Sequence, residues 1–282
     1  MKRFWMLLLA LLCLCLCAQA EAPQRVVSLY GSFAEAWLQA GGELVGVTED
    51  AVTERGLQTD AAVIGTNKAP NLELVMSLDP DWVILSSDIA AQAGVREVLE
   101  GAGIPCTAYR VDRSLDSVRM MDEFTALTGR RDVYEQQVLP MAAEIEALIV
   151  QARQEEAPEV LLLRAFSTGA KAKGADNLAG VMLQDLGCVN LADKHPSLLE
   201  ELSLEAIVAE DPDWILISVM GGDEAAALAA VQETLGTNPA FQSLTAVREG
   251  RIHVLPRELF HYKPNVRWRE SYAYLCELLW KD

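Results

Sequence analysis

The chain has 282 residues, of which 51% are hydrophobic and 23% charged, proportions typical of a globular protein with a large core. Its 41 acidic residues outnumber the 23 lysines and arginines, which gives a formal charge of −18 at neutral pH. This charge argues against nucleic acid as a partner, because nucleic-acid binding needs a basic surface.

The N-terminal residues 1–20 have the pattern of a secretory signal peptide. Lys2 and Arg3 precede an apolar run that ends at Cys17, and Ala18-Gln19-Ala20 has the small-x-small pattern of a cleavage site. The run is short for a transmembrane helix, so we expect cleavage after Ala20 rather than an uncleaved anchor. Loss of Lys2 and Arg3 would change the formal charge to −18 − 2 = −20.

Lipid attachment is the alternative to simple cleavage. Its candidate residues are Cys13, Cys15 and Cys17, each of which follows a leucine where a small residue is expected. We therefore favour cleavage and expect an exported protein, in a periplasm or at the outer face of the cytoplasmic membrane.

Residues 21–130 predict an N-terminal lobe of alternating strands and helices. The predicted strands are Arg25–Leu29, Leu44–Val47, Ala61–Ile64, Val83–Leu85 and Pro105–Val111, and the predicted helices include Phe33–Ala40, Val95–Ala102 and Leu115–Leu127. Tyr30, Gly31 and Ser32 form the turn after the first strand, with Ser32 as the expected N-cap. Ligands of open α/β sheets bind beyond the carboxyl ends of the strands, so this turn is a candidate binding loop.

Residues 131–157 predict one helix that is longer than the others. Pro140 is expected to kink this helix and Pro158 to close it, because proline lacks the backbone N–H that a helix interior needs. Its place midway along the chain indicates a connector between two halves.

Residues 158–282 predict a C-terminal lobe with the same pattern. The predicted strands are Val160–Arg164, Ile215–Ile217 and one within Val247–Leu255, and the predicted helices are Leu178–Leu186, Ala225–Leu235 and Arg269–Trp280. Phe166–Gly174, Ala192–Leu199 and Met220–Asp223 are predicted loops. Aromatic and charged side chains crowd the segment Glu258–Trp268.

One stretch of the sequence occurs twice. Leu72–Ser86 and Leu204–Ser218 share a Leu-Glu start and an Asp-Pro-Asp-Trp centre, at an offset of 204 − 72 = 132 residues. Each copy predicts a short helix stopped by Pro80 or Pro212, followed by an apolar strand buried on both faces. Two copies half a chain apart predict two similar lobes with a cleft between them.

The order of these motifs resembles the class III substrate-binding proteins of ABC importers, which bind vitamin B12, ferric siderophores or haem. The resemblance is carried by Arg25–Leu29, the two repeat copies, the long middle helix, and the run from Asn238-Pro239-Ala240-Phe241 to Val254. It implies an α/β fold with two similar lobes, whose central, mostly parallel sheets are joined by one long rigid helix. It also implies a shallow ligand cleft between the lobes, little hinge motion on binding, and a monomer.

The resemblance further implies a partner, the permease subunits of the importer. In the family, one surface glutamate of each lobe docks onto permease arginines, and Glu73 and Glu205 match those positions. Two spaced carboxylates can form charge-assisted bonds with two arginines. A favourable contact with the helix dipole is the simpler explanation of each glutamate.

Three cysteines follow the predicted cleavage site: Cys106, Cys188 and Cys276. An oxidising compartment favours a disulfide, and the sequence alone allows three pairings or three buried thiols. The vitamin B12 receptor of the family has a disulfide whose placement Cys188 and Cys276 match. The resemblance therefore implies a Cys188–Cys276 bond, with Cys106 as a buried strand cysteine.

Catalysis is not expected, because the chain has three histidines and lacks Gly-x-Ser-x-Gly, phosphate-loop and Cys-x-x-Cys motifs. A zinc or manganese receptor is the alternative outside the family. His195 and His261, with Asp88 or Asp223, would supply its ligands.

The favoured ligand is an iron chelate of the ferric siderophore type, with no intrinsic cofactor. Its anionic groups would bind cations on loops near the cleft, and polar and aromatic neighbours would complete the site. The candidate cations are Lys68, Arg110, Arg164, Lys171, Lys173, Arg257, Lys263 and Arg267, and the candidate neighbours are Ser32, Ser87 and Trp268.

Haem or a corrinoid is the alternative ligand within the family. Tyr30, Met220, His261 and Tyr262 are candidate ligands of a haem iron. A cobalamin site would be mostly aromatic, and aromatic residues make up only 6% of this chain.

Overall fold

The computed structural model describes residues 22–221 and 223–280. The predicted signal peptide and Gly222 of the predicted Met220–Asp223 loop lie outside these ranges. Within the described ranges the chain forms two α/β lobes, each with a five-stranded sheet. None of the helices in this part of the chain is both long and apolar enough to cross a membrane.

The N-terminal lobe has a parallel sheet in the order β3-β2-β1-β4-β5. Its strands are β1 (Val26–Ser28), β2 (Leu44–Val47), β3 (Ala62–Val63), β4 (Trp82–Ser86) and β5 (Cys106–Tyr109). Its helices are α1 (Gly31–Gln39), α2 (Glu49–Thr53), α3 (Leu72–Ser77), α4 (Ala91–Gly101) and α5 (Ser114–Leu127). Along β4, Ile84 and Leu85 belong to separate apolar clusters on the two faces of the sheet, which explains the unbroken apolar run.

A continuous helix joins the lobes, made of α6 (Arg131–Val133), a π-helical turn (Tyr134–Val138) and α7 (Leu139–Ala152). In the π-helical turn the Leu139 N–H donates to the Tyr134 carbonyl. The irregularity predicted at Pro140 therefore lies in the turn just before it, because proline leaves one carbonyl without its usual donor. We call residues 131–152 the connecting helix.

The C-terminal lobe has a sheet in the order β10-β9-β6-β7, with β8 beside β6. All pairs are parallel except β6 with β7. Its strands are β6 (Glu159–Phe166), β7 (Gly169–Ala172), β8 (Val189–Asn190), β9 (Trp214–Val219) and β10 (Ile252–Val254). Its α-helices are α8 (Leu178–Leu186), α9 (Leu191–Lys194), α10 (Ser197–Glu200), α11 (Leu204–Glu210), α12 (Glu224–Val231), α13 (Pro239–Gln242), α14 (Thr245–Arg248), α15 (Arg257–Phe260) and α16 (Trp268–Trp280), with a π-helical turn at Gln232–Gly236 and a 3₁₀ turn at Asn265–Arg267.

The two repeat copies fold alike, as a short helix followed by a buried strand: α3 and β4 in one lobe, α11 and β9 in the other. Asp79 and Asp211 adopt left-handed φ angles of 48° and 45°, which end the helical course before each proline. Asp81 accepts the Arg25 N–H at 3.0 Å, and Asp213 accepts the Glu159 N–H at 2.8 Å. The second aspartate of each motif thus fixes the start of the neighbouring strand.

One apolar cluster runs through both lobes. It includes Phe33 and Trp82 of the N-terminal lobe, Ile145 of the connecting helix, and Leu162 and Tyr272 of the C-terminal lobe. Each large side chain buried in this way contributes about 1.5–3 kcal/mol to folding. Because the lobes share this core, pulling them apart would expose apolar surface.

Four predicted local features are wrong in detail. α1 begins at Gly31, so Ser32 lies in its first turn, and the Gly31 N–H donates instead to the Asp50 carboxylate at 2.8 Å. The predicted loop Phe166–Gly174 contains β7, an edge strand antiparallel to β6. The predicted loop Ala192–Leu199 contains two one-turn helices. The connecting helix ends at Ala152, short of the predicted residue 157.

Candidate functional site

A cleft of about 630 Å³ lies between the lobes. Residues just beyond the carboxyl ends of the strands line it, among them Tyr30 after β1, Asp88 after β4, Arg110 after β5 and Met220 after β9. Small-molecule sites have volumes of about 300–1,000 Å³ and lie at this edge of open α/β sheets. The size and position of the cleft are therefore those of a ligand site.

Gln92, a buried residue of α4, fixes the loops of the N-terminal wall. Its side-chain oxygen accepts the Ser86 N–H at 2.7 Å, and its amide donates to the carbonyls of Leu29 and Asn67 at 2.8 Å each. One side chain therefore ties together the ends of β1 and β4 and the loop that carries Lys68.

Four charged residues form a cluster that crosses the cleft: Asp88, Arg110 and Asp112 from the N-terminal lobe and Lys263 from the C-terminal lobe. We call these four residues the cross-cleft cluster. The Arg110 Nε lies 2.5 Å from the Asp112 carboxylate and 3.7 Å from that of Asp88. The Lys263 Nζ lies 3.2 Å from Asp88 and 3.9 Å from Asp112. Two of the predicted ligand-binding cations thus already face carboxylates of the protein.

A second contact between the lobes lies beside the cleft, at Asn265. This asparagine is 5% exposed, has a left-handed φ of 52°, and donates its amide to the Ser32 carbonyl at 2.8 Å and to the Glu35 carboxylate. Glu35 also pairs with Arg55, which lines the cleft. Arg55 is therefore held by the protein's own carboxylate.

Two arginines, one on the C-terminal wall of the cleft and one just behind it, have no carboxylate partner in the described part of the chain. Among the described residues the Arg164 guanidinium has no carboxylate within 4 Å; burial lowers its pKa, and the charge of Asp176 opposes this shift. Arg257 lies just behind the lining and donates to the Gly221 carbonyl and, at 3.2 Å, to the Tyr262 hydroxyl. Burial, with help from the charges of Arg257 and Arg164, lowers the pKa of His261 to about 4. His261 is therefore neutral at physiological pH.

Tyr30 occupies the opposite wall. Burial raises the pKa of its phenol to about 12, and a hydrogen bond with Ser32 opposes this shift. The phenol is therefore protonated at physiological pH and can donate a hydrogen bond to a ligand.

Nine of the predicted ligand-binding residues line the cleft together. They are Tyr30, Ser32, Lys68, Arg110, Arg164, Met220, His261, Tyr262 and Lys263. Ser87 is exposed next to Asp88, and Arg257 contacts Tyr262 from behind.

Two predicted ligand-binding residues lie elsewhere. Trp268 is fully buried in the shared core, because α16 turns that face toward the connecting helix. Arg267 points to the surface, where it pairs with Glu270 at 2.8 Å. Of the candidate cations on the predicted loop before α8, Lys171 lies on β7 and Lys173 pairs with Asp176.

The cleft also contains charged residues that the sequence did not assign to the chelate site. Asp88 and Asp112 directly follow β4 and β5, so their position at the strand ends was a signal for them. Asp50, Glu54 and Arg55 lie on or just after α2, a helix that was not predicted.

The proposed ligands of a bare metal ion do not come together. His195 lies outside the cleft, with its Nε2 2.7 Å from the Glu210 carboxylate. Among the described residues, no group of three or more histidine, cysteine or acidic side chains could hold a metal ion.

Glu73 and Glu205 occupy matching positions on the two lobes. Both are exposed in the first turn of their helices, α3 and α11. Asn71 and Ser203 cap these helices, accepting the N–H groups of Leu74 and Ala206. This placement agrees with a docking role and equally with the helix-dipole explanation.

Cys188 and Cys276 are neighbours but are not joined by a disulfide in the structure. Burial, followed by the charge of Cys276, raises the pKa of the Cys188 thiol to about 12. Cys106 lies at the start of β5, half-buried, and burial raises the pKa of its thiol to about 11.

Comparison with known proteins identifies relatives along most of the chain. The Fe(3+)-citrate-binding protein YfmC of Bacillus subtilis (strain 168) is 25% identical over 259 residues, which cover 89% of this chain and 79% of that protein. The structure of a periplasmic heme-binding protein from Pseudomonas aeruginosa is 26% identical with a TM-score of 0.70, covering 90% of this chain and 92% of that one. The vitamin B12 binding protein BtuF of Vibrio cholerae shares the fold, with a TM-score of 0.72 at 16% identity over 92% of this chain and 97% of its own.

The expected two-lobed α/β fold and the resemblance drawn from the repeats are confirmed by these relatives. A family model described as periplasmic binding protein matches residues 26–259. The chain therefore belongs to the periplasmic binding protein family.

Proposed function

We propose that the protein is the extracytoplasmic receptor of an ABC importer and binds an iron chelate in the cleft between its lobes. The observation that carries this proposal is the inter-lobe cleft, whose walls bear arginines, lysines and hydroxyl groups that suit an anionic chelate. The similarity to an Fe(3+)-citrate-binding protein supports the same ligand class. The protein has no catalytic step in this role and acts as a monomer.

Delivery requires a permease that recognises the loaded receptor. Glu73 and Glu205 are the proposed docking residues, one on each lobe, each binding a permease arginine. Their equivalent, exposed positions on the two repeat helices support this role.

Calorimetric titration with ferric citrate, iron-free citrate, haem, cobalamin and a zinc salt tests the ligand class. We expect saturable one-to-one binding of the ferric chelate and no binding of iron-free citrate. Exclusive binding of haem, cobalamin or bare zinc would contradict the proposal.

Haem is the second candidate ligand. His261 is neutral in the cleft because burial lowers its pKa to about 4, so a ring nitrogen is free of its proton and suited to an iron atom. The similarity to the heme-binding protein of Pseudomonas aeruginosa supports this candidate. An absorption spectrum with a Soret band that disappears in His261→Ala would favour haem.

A further inference from the structure

The two walls of the cleft differ in charge. The N-terminal wall has the cations Arg55, Lys68 and Arg110 and the carboxylates Asp50, Glu54, Asp88 and Asp112, a sum of 3 − 4 = −1. The C-terminal wall has the cations Arg164 and Lys263 and the carboxylate Asp176, a sum of 2 − 1 = +1, and the further cation Arg257 lies directly behind it. An anionic ligand therefore meets attraction on one side and near-neutrality or repulsion on the other.

Ion pairs within the protein increase this difference between the two walls in their attraction for an anion. On the N-terminal wall, Arg55 pairs with Glu35, and Arg110 pairs with Asp112. Lys263 reaches across from the other lobe but is also held, by Asp88 at 3.2 Å. These cations cannot bind a ligand carboxylate at full strength, because a protein carboxylate already occupies them. Lys68 is the remaining cation of the N-terminal wall, and it is exposed to solvent.

On the C-terminal wall the acidic residue, Asp176, already forms an ion pair with a lysine. Asp176 pairs with Lys173 at 2.6 Å, and although its charge also acts on Arg164, no carboxylate of the described residues lies within 4 Å of the Arg164 guanidinium. Within residues 22–221 and 223–280, Arg257 donates to a carbonyl and a phenol and forms no ion pair. The charges of both arginines help to keep His261, which lines the same wall, neutral. Two arginines close to one neutral imidazole form a suitable binding site for carboxylate oxygens, because arginine binds carboxylates through charge-assisted hydrogen bonds.

We infer that the ligand is anionic on one side: its carboxylates bind Arg164 and Arg257, while Asp88 and Asp112 select against anionic groups on the opposite side. This inference rests on the proposed function and narrows it. The affinity for the chelate then comes from Arg164 and Arg257 of the C-terminal lobe. The discrimination between different chelates comes from Asp88 and Asp112, the two carboxylates of the cross-cleft cluster. The class of ligand that fits is a carboxylate chelate whose far side presents neutral or hydrogen-donating groups.

Calorimetry with ferric citrate as the probe, at low and at physiological salt, tests the assignment to the arginines. The double variant Arg164→Met and Arg257→Met is expected to bind at least about 100-fold more weakly, because two charge-assisted contacts are lost. The double lysine variant, Arg164→Lys with Arg257→Lys, keeps the charge and is expected to retain part of the affinity. Thermal unfolding of the double lysine variant shows that its C-terminal lobe is folded. The matched control is Arg96→Met with Arg119→Met, two exposed arginines that pair with acids outside the cleft.

The selecting role of the carboxylates has its own test. Asp88→Asn with Asp112→Asn is expected to raise the affinity for ferric citrate about 10-fold at low salt and to leave that for a neutral ferric trihydroxamate within about threefold. The control Asp122→Asn with Asp132→Asn makes the same change in net charge at two arginine-paired carboxylates outside the cleft. It is expected to leave both affinities unchanged.

The outcomes separate the inference from the proposed function. If the parent protein binds ferric citrate and neither cleft variant differs from its control, the inference is overturned and the proposed function remains. If the parent protein binds no ferric chelate at all, both are overturned.

Discussion

At the scale of single residues, His261 shows how the cleft sets the protonation of a side chain. Burial and the charges of Arg257 and Arg164 lower its pKa from 6.5 to about 4. Between these two values the unfolded chain binds a proton that the folded protein does not. The free energy of unfolding therefore falls as the pH is lowered from about 6.5 to about 4, and the stability contributed by the neutral ring is fully present above that window.

Urea unfolding of the parent protein and of His261→Gln tests this linkage. Glutamine cannot be protonated, so we expect the variant to lose less stability than the parent between pH 7.5 and pH 4.5, both without ligand. Equal losses in the two proteins would show that His261 is protonated as easily in the folded protein as in the unfolded chain.

Cys188 and Cys276 are close enough for the charge of one to act on the other. We expect them to form a disulfide when the protein is exported to an oxidising compartment. Alkylation of the denatured, unreduced mature chain should then label Cys106 alone, as read by mass spectrometry. Three labels on that chain would contradict the pairing.

Sequence reasoning found much of the cleft but misjudged its charge balance. Tyr30 and Met220, which follow predicted strands, line the cleft, and so does Arg110, which lies within the predicted strand Pro105–Val111. Counting loop cations overstated the number available to a ligand. Lys263 is held by Asp88 of the other lobe, a pairing that is invisible in a linear sequence, and Arg110 is held by its near neighbour Asp112. Trp268 was misplaced for a related reason, since an apolar helix face shows that a residue is buried but not against which element.

At the scale of elements, the repeated Asp-Pro-Asp-Trp motif has a structural purpose in each lobe. Asp79 and Asp211 turn the chain out of the helix, and Asp81 and Asp213 accept backbone N–H groups at the start of the neighbouring strands β1 and β6. The repeat could be read directly from the sequence, as could the alternation of strands and helices. The edge strand β7 could not, because its short Gly-Ala-Lys-Ala sequence has little strand preference of its own.

Asp213→Ala tests the role of the second aspartate. The variant leaves the Glu159 N–H without its acceptor, which is expected to lower the free energy of unfolding by about 1–3 kcal/mol. Urea unfolding measures this loss. The control is Asp60→Ala, an exposed aspartate outside the repeats, and an equal effect of the two changes would contradict the role of Asp213.

The repeat helices also carry the proposed docking glutamates. Glu73→Ala with Glu205→Ala is expected to abolish uptake of iron in membranes that contain the cognate permease, while calorimetry shows unchanged affinity for the chelate. Glu43→Ala with Glu97→Ala makes the same change in net charge at glutamates outside the repeats and is expected to transport normally. A loss of chelate affinity in the first variant would place its glutamates at the ligand instead.

At the scale of the whole molecule, the lobes are tied together at several places. They share one apolar core along the connecting helix. Arg113 of the N-terminal lobe pairs with Asp185 of the C-terminal lobe, which also accepts the Tyr272 hydroxyl at 2.7 Å. Lys263 and Asn265 make further contacts across the cleft. Large opening of the cleft would break these contacts together, so we expect ligand binding to involve small, local movements.

The most direct test of the account is the position of the iron in crystals grown with ferric citrate, read from an anomalous difference map at the iron absorption edge. We expect one iron peak between the lobes, with the chelate's carboxylates on Arg164 and Arg257. An iron peak outside the cleft, or none in crystals of a protein that binds the chelate in solution, would contradict it.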